Sequence, residues 1–127
     1  MIIGTGIDLV EVERIEHAAN RFGARFLNRI YTQAEQAYCL RKRASGESLA
    51  ARFAAKEAAA KALGTGISAG VNWLEIEVTR EAGGRPGVRF HGRAAQIAHR
   101  LGVVRAALSL THTNDLAMAS VVLEAGV

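Results

Sequence analysis

The chain has one cysteine, Cys39, so neither an internal disulfide nor a cysteine-built zinc site can form within it. Such sparing use of cysteine fits a reducing, cytoplasmic setting. There is no apolar run of the roughly 18 residues that a membrane helix needs. The start, Met1 to Val10, carries glycines and an aspartate instead of the basic-then-apolar order of a secretory leader. Neither a membrane span nor a leader is therefore expected. Repeats and low-complexity stretches are also missing, and aromatic residues are only 6% of the chain. Half of the 127 residues are nevertheless apolar, enough to bury a core, and the length suits a single domain over residues 1–127. Much of that apolar half is alanine. Packing should then depend on close helix approach or on burial against further copies of the chain.

Charge is present but uneven. The formal net charge of +4 hides a middle segment, Arg14 to Lys61, with ten Lys or Arg against Glu16, Glu35, Glu47 and Glu57. Before it stand Asp8, Glu11 and Glu13, and after it the signs nearly cancel. A basic middle points to an anionic partner: nucleic acid, a phosphorylated small molecule or an acidic protein.

Ile2 to Val10 is β-branched and broken by Gly4 and Gly6, which reads as a strand with a bend or bulge. Val12, Ile15, Ala19 and Phe22 recur at helical spacing and predict a helix over 10–22. Thr32-Gln33-Ala34-Glu35 has the capping-box pattern and opens a second helix to about Arg43, with Cys39 as a small core residue. Ala44 to Glu47 reads as a break. The third helix, about Ser48 to Leu63, consists almost wholly of strong helix formers and is stopped by Gly64-Thr65-Gly66. Alternation of Leu74, Ile76 and Val78 with Glu75, Glu77 and Thr79 predicts a half-buried strand over 72–80. A turn at Gly83 to Gly87 leads to a short return strand at Val88 to Phe90. Gly92 to Leu101 is a fourth amphipathic helix, and Ala106 to Thr111 and Leu116 to Leu123 are strands around Thr113-Asn114-Asp115. The expected class is α+β, with a mainly antiparallel sheet and helices packed on one side.

Several residues invite a chemical reading. On the third helix Leu49, Phe53 and Leu63 share an arc that also contains Lys56, which must either snorkel outward or meet an anion. Glu57 and Lys61 stand four apart, the spacing of a helix ion pair. Gly64-Thr65-Gly66 is either a helix stop or a tight loop whose N–H groups meet a phosphate with help from nearby lysines. The same tripeptide at Gly4 to Gly6 is expected to be only a strand irregularity. Asp8, ending an apolar strand, is solvated, caps the next helix, or holds a cation. If it converges with Glu57, the two carboxylates with phosphate oxygens and water would make the all-oxygen site that Mg²⁺ prefers. His112 is surface, a phosphate contact or a proton carrier. His17, His91 and His99 are read as structural or surface residues. Arg14, Arg21, Arg25 and Arg29 fall within about 80° on a helical projection if the helix runs on through Gly23. They make either a solvated face or, flanked by Phe22 and Phe26, a docking ridge for an acidic protein.

Two segments carry a family resemblance: Gly6-Ile7-Asp8-Leu9-Val10-Glu11-Val12-Glu13-Arg14-Ile15 and the run from Arg52 to Gly66, which contains Lys56-Glu57 and Lys61. Together with Gly84-Arg85-Pro86 and Ser109-Leu110-Thr111-His112, they resemble the signatures of the holo-[acyl-carrier-protein] synthases, the small bacterial 4′-phosphopantetheinyl transferases. The resemblance implies transfer of phosphopantetheine from coenzyme A to a serine of an apo acyl carrier protein, releasing adenosine 3′,5′-bisphosphate in support of fatty acid biosynthesis. It implies Mg²⁺ on Asp8 and Glu57, and Lys61 against phosphate charge. Arg52, Lys56, Gly64, Thr65, Gly66, Pro86 and His112 would line the nucleotide and 3′-phosphate site. Arg14, Arg21 and Arg25 would dock the carrier, and the chain would form a homotrimer with sites at subunit interfaces. The serine proton would pass to Glu57, directly or through water, or to a metal-bound water. Neither nucleic acid nor membrane is expected as a partner. The competing reading is a non-catalytic basic oligomer that binds an acidic protein or nucleic acid. That reading gives no reason for Asp8, Glu57 and Lys61 to occur together.

Overall fold

The computed structural model describes residues 1–81 and 83–126. Strand β1 (Ile2–Glu11) leads into helices α1 (Val12–Phe22), α2 (Ala24–Ile30), α3 (Gln33–Leu40) and α4 (Ser45–Leu63). A 3₁₀ turn at Trp73–Glu75 precedes the hairpin β2 (Ile76–Arg80) and β3 (Pro86–Phe90). Helix α5 (Gly92–Leu101) and strands β4 (Val103–His112) and β5 (Leu116–Ala125) complete the chain. The strands form a three-stranded sheet in the order β1-β5-β4 and a separate β2-β3 pair, antiparallel throughout. This is the expected α+β class.

Helix α4 lies against the three-stranded sheet and is buried on nearly every side, because alanine at Ala50, Ala51, Ala54, Ala55, Ala58, Ala59 and Ala60 adds little girth to its backbone. An amphipathic arc at Leu49, Phe53 and Leu63 therefore understates its burial. The contact with β1 is closest at Gly4 and Gly6. A Cβ on Gly6 would lie well inside contact distance of the Ala58 carbonyl oxygen, and one on Gly4 would meet that of Ala62. These glycines are thus required by helix-on-strand packing, beyond the register shift between Ile2 and Gly4. Gly6→Ala should destabilise the fold by about 3 kcal/mol or more, since a backbone oxygen cannot rotate away as a side chain would. A urea unfolding midpoint close to wild type would contradict this.

Several boundaries differ from the sequence reading. Pairing with β5 carries β1 through Val10 to Glu11, so α1 starts two residues later than expected. Gly23 has φ +55°, and the chain turns there. The arginines consequently lie on two helices, Arg14 and Arg21 on α1, Arg25 and Arg29 on α2, and not on one continuous ridge. Helix α3 ends at Leu40, whereas α4 begins at Ser45, inside the segment read as a break. Leu74 sits in the 3₁₀ turn, where Asn72 and Glu75 form a capping box, so the alternating strand begins only at Ile76. The final strands are longer than expected because they pair along almost their whole length.

Candidate active site

Beneath the sheet, α4 is tied to the rest of the chain by an ion pair. Lys56 is fully buried, and its Nζ lies 2.8 Å from Glu35 Oε1 on α3 while also donating to the carbonyls of Trp73 and Ile76. Glu35 in turn accepts N–H bonds from Thr32 at 2.7 Å and Val78 at 2.7 Å. Burial lowers the Lys56 pKa from its ordinary value, against the opposing pull of Glu35. With its ammonium enclosed in this way, Lys56 does not line a nucleotide site reachable from solvent. Its burial on the apolar arc was legible in the sequence, but the anion it meets is a carboxylate of the chain itself.

Gly64-Thr65-Gly66 also turns its amides inward. The amide of Gly64 bonds to Lys61 O at 3.0 Å, and those of Thr65 and Gly66 to Ala60 O at 3.2 Å each. The Thr65 hydroxyl turns to Gly66 O at 2.8 Å. All three amides close the last turn of α4, where the helix dipole already disfavours anions. The segment serves as the helix stop, with its three amides bonded within the chain.

Asp8, Glu57 and Lys61 do converge. The glycines of β1 hold the strand against α4, and Lys61 reaches across to donate to Asp8 Oδ1 at 3.0 Å and to Ile7 O at 3.1 Å. Lys61 is thus paired with the strand carboxylate instead of serving as a simple i,i+4 partner of Glu57. Glu57 is half-buried. Burial raises its pKa, the Asp8 charge raises it further, and Lys61 and Arg14 pull it down. Two carboxylates near enough to influence each other, with a route to solvent, suit a small hard cation. Among the described residues no group of three or more His, Cys, Asp or Glu could hold a metal ion, so further oxygen ligands would have to come from substrate and water. The Asp8–Lys61 pair is half-exposed on the lysine side, and such pairs are worth at most about 1 kcal/mol, weak enough to yield to a stronger partner.

A cavity of about 470 Å³ opens at the other end of α4. Arg52, Pro86 and His112 all line it, together with Tyr38, Lys42, Arg43 and Arg80. Arg52 is 3% exposed and its guanidinium donates to Ser48, with no carboxylate partner among the described residues. It lies 4.3 Å from the centre of the Tyr38 ring, against which Lys42 and Arg80 also pack, at 4.6 and 4.8 Å. Burial alone would push the Tyr38 phenol up, but Arg80, Lys42 and Arg52 carry it below its ordinary value. His112 Nδ1 is 2.9 Å from Glu47 Oε1, which sits in the first turn of α4. No Asp or Glu lines this cavity among the described residues. An unpaired buried guanidinium amid three further cations is costly unless an anion neutralises it. Tyr38, Arg80 and Glu47 were not singled out from the sequence.

Arg14 packs 5.7 Å from the centre of the Phe53 ring and is close enough to act on Glu57, whereas Arg21 lies over Phe22, and Arg25 is exposed on the next helix. Of these arginines, Arg14 stands beside the carboxylate pair, while Arg21 and Arg25 lie on the exposed surface of α1 and α2. His17, His91 and His99 are exposed, and His91 pairs with Glu77 at 2.9 Å.

Paired carboxylates beside a lysine, with a cationic pocket on the same helix, suit an enzyme that moves a phosphoryl-linked group. Comparison with known proteins makes this specific. The family model of the 4′-phosphopantetheinyl transferase superfamily matches residues 4–121, and the chain belongs to that family. Over 124 residues it is 60% identical to the holo-[acyl-carrier-protein] synthase of Koribacter versatilis, covering 98% of this chain and 99% of the relative. The enzyme of that name from Solibacter usitatus is 52% identical over 124 residues, with the same coverage. Among solved structures, the holo-[acyl-carrier-protein] synthase of Neisseria meningitidis superposes with a TM-score of 0.87 at 38% identity, covering 98% of this chain and 99% of that one. The Helicobacter pylori enzyme, solved in complex with coenzyme A, gives a TM-score of 0.83 at 30% identity and covers 94% of this chain and 99% of that one.

Proposed function

We propose that this chain transfers the 4′-phosphopantetheine arm of coenzyme A to a serine of an apo acyl carrier protein, in support of fatty acid biosynthesis. The observation that carries the reading is the unpaired, buried Arg52 in a cavity with Lys42, Arg43 and Arg80, joined by one helix to the Asp8–Glu57 pair. The cavity offers the positive charge that the 3′-phosphate and nucleotide end of coenzyme A require, with Pro86 and His112 on its wall. Arg52 and Lys61 are nine residues apart, about 13 Å along the helix, so the two halves fit different parts of one long ligand or are completed by a neighbouring copy.

A homotrimer belongs to this reading. Ile7, Leu9, Leu116 and Met118 are exposed on the outer face of the three-stranded sheet, and Asp8 lies between the first two. A second copy covering that apolar face would bury it, while the Asp8 side chain points to the opposite face of the strand, toward α4. The buried free thiol of Cys39 accords with a cytoplasmic location, and no described helix is long and apolar enough to cross a membrane.

In the transfer, the carrier serine oxygen forms a bond to the phosphorus that bears pantetheine, and the bond from that phosphorus to the bridging oxygen breaks. Adenosine 3′,5′-bisphosphate leaves with the electron pair. Asp8 and Glu57 would hold Mg²⁺, which when bound neutralises pyrophosphate charge and stabilises the leaving group. Lys61 holds charge at the same pyrophosphate. Glu57, whose pKa burial and then the Asp8 charge raise, or a water in the site would take the serine proton. Arg14, Arg21 and Arg25 orient the acidic carrier at the mouth of the site.

Mass spectrometry of an apo acyl carrier protein incubated with the chain, coenzyme A and Mg²⁺ tests the reading. A phosphopantetheine mass gain that chelation abolishes is expected. No gain with any carrier, or a gain indifferent to chelator, would count against it. Arg14→Glu and Arg21→Glu should each raise the KM for carrier protein about tenfold and leave that for coenzyme A nearly unchanged. Equal effects on both would remove the docking assignment.

A further inference from the structure

We propose that Lys61 is an exchangeable occupant of the Asp8 carboxylate: in the ligand-free chain its ammonium takes the oxygen that a divalent cation needs, and an anionic substrate draws it away. The inference rests on the metal reading of Asp8 and Glu57 given above. Lys61 Nζ lies 3.0 Å from Asp8 Oδ1 and 3.1 Å from Ile7 O, so two of its three donors point at β1 and not along α4 toward Glu57. An ammonium and a divalent ion cannot both approach one carboxylate oxygen this closely without strong repulsion. The lysine is also free to leave. Its side chain is 50% exposed, against 16% for Asp8, and its four-carbon stem swings without disturbing the helix. A pyrophosphate presents more negative charge than one carboxylate, so substrate binding would move the ammonium from Asp8 to phosphate and leave the oxygen open. In this scheme one positive charge serves two partners in turn. It keeps Asp8 paired before substrate arrives and weakens cation binding to the free protein.

Titration of Mn²⁺ alone into the full chain without coenzyme A, with the free ion followed by electron paramagnetic resonance, tests the exchange. Lys61→Met should bind Mn²⁺ roughly five- to tenfold more tightly than wild type. Arg14→Gln is the control, because Arg14 acts on Glu57 without bonding to Asp8, and it should tighten binding less than about twofold. Equal affinity in wild type and Lys61→Met, or an equal gain in Arg14→Gln, would overturn the exchange. Binding seen only in Lys61→Met would support it, and binding in neither would overturn it. Asp8→Asn should lose Mn²⁺ in both backgrounds. Undiminished binding in that variant would remove the metal reading itself, a failure distinct from that of the exchange.

Discussion

Asp8→Asn and Glu57→Gln are each expected to lower phosphopantetheine transfer by about 10³-fold or more, because on the proposed reading each removes one of the two carboxylates that would hold the Mg²⁺ neutralising the pyrophosphate. Loss of activity through unfolding is distinguishable from loss of chemistry. Burial and the Asp8 charge raise the Glu57 pKa above its ordinary value. A carboxyl whose pKa is raised in the folded state favours folding when protonated. That contribution is complete below the ordinary carboxylate range and is lost as pH rises through the raised value. Glutamine cannot ionise and so retains the favourable state at neutral pH. Glu57→Gln should accordingly melt no lower than wild type at pH 7 while being inactive, and its advantage should vanish toward pH 4. Transfer within about tenfold of wild type in either variant would remove the assignment of that carboxylate.

Lys56→Met should destabilise the fold by about 3–5 kcal/mol, the usual cost of removing one member of a buried ion pair and leaving the other uncompensated. Glu35 would then keep its bonds to Thr32 and Val78 without a counter-charge, and the carbonyls of Trp73 and Ile76 would lose their donor. For a chain of this size such a loss is a large share of total stability. Glu35→Gln should be milder, since an amide still bonds to part of this network. The double variant Glu35→Gln/Lys56→Met should cost less than the sum of the single variants, because the two groups are in direct contact. Guanidinium unfolding midpoints measure all three. A Lys56→Met protein within about 1 kcal/mol of wild type would show that the pair is not what ties α4 to α3 and β2.

The Lys56 case also marks where sequence reasoning reached its limit. Helical projection placed a lysine on a buried arc, which required an anion, but projection contains no information about which anion. The nearest candidate by family resemblance was a substrate phosphate. The fold instead supplied Glu35, a residue already accounted for as the capping-box member of α3. Gly4 and Gly6 were legible as a strand irregularity, yet their decisive property is a neighbour more than fifty residues away along the chain. Asp8 with Glu57 was a reading conditional on their convergence, and the same close approach of β1 to α4 brings the two carboxylates near each other.

By itself the sequence determined the α+β class, the Ala-rich central helix, the capping box at Thr32, and the residue types from which a carboxylate pair and a cationic surface are built. Local propensity and periodicity act over a few residues, and these features are decided at that range. Tertiary structure alone decided the break of the arginine series at Gly23 and the enclosure of Lys56. It also turned the Gly64 to Gly66 amides back onto Ala60, and gathered Arg52 from α4, Tyr38 from α3, Arg80 from β2 and His112 from β4 around one cavity. A charge on a single segment has no fixed role until packing chooses its partner. In this chain that choice gives Lys56 to the core and leaves Arg52 without a carboxylate in the cavity.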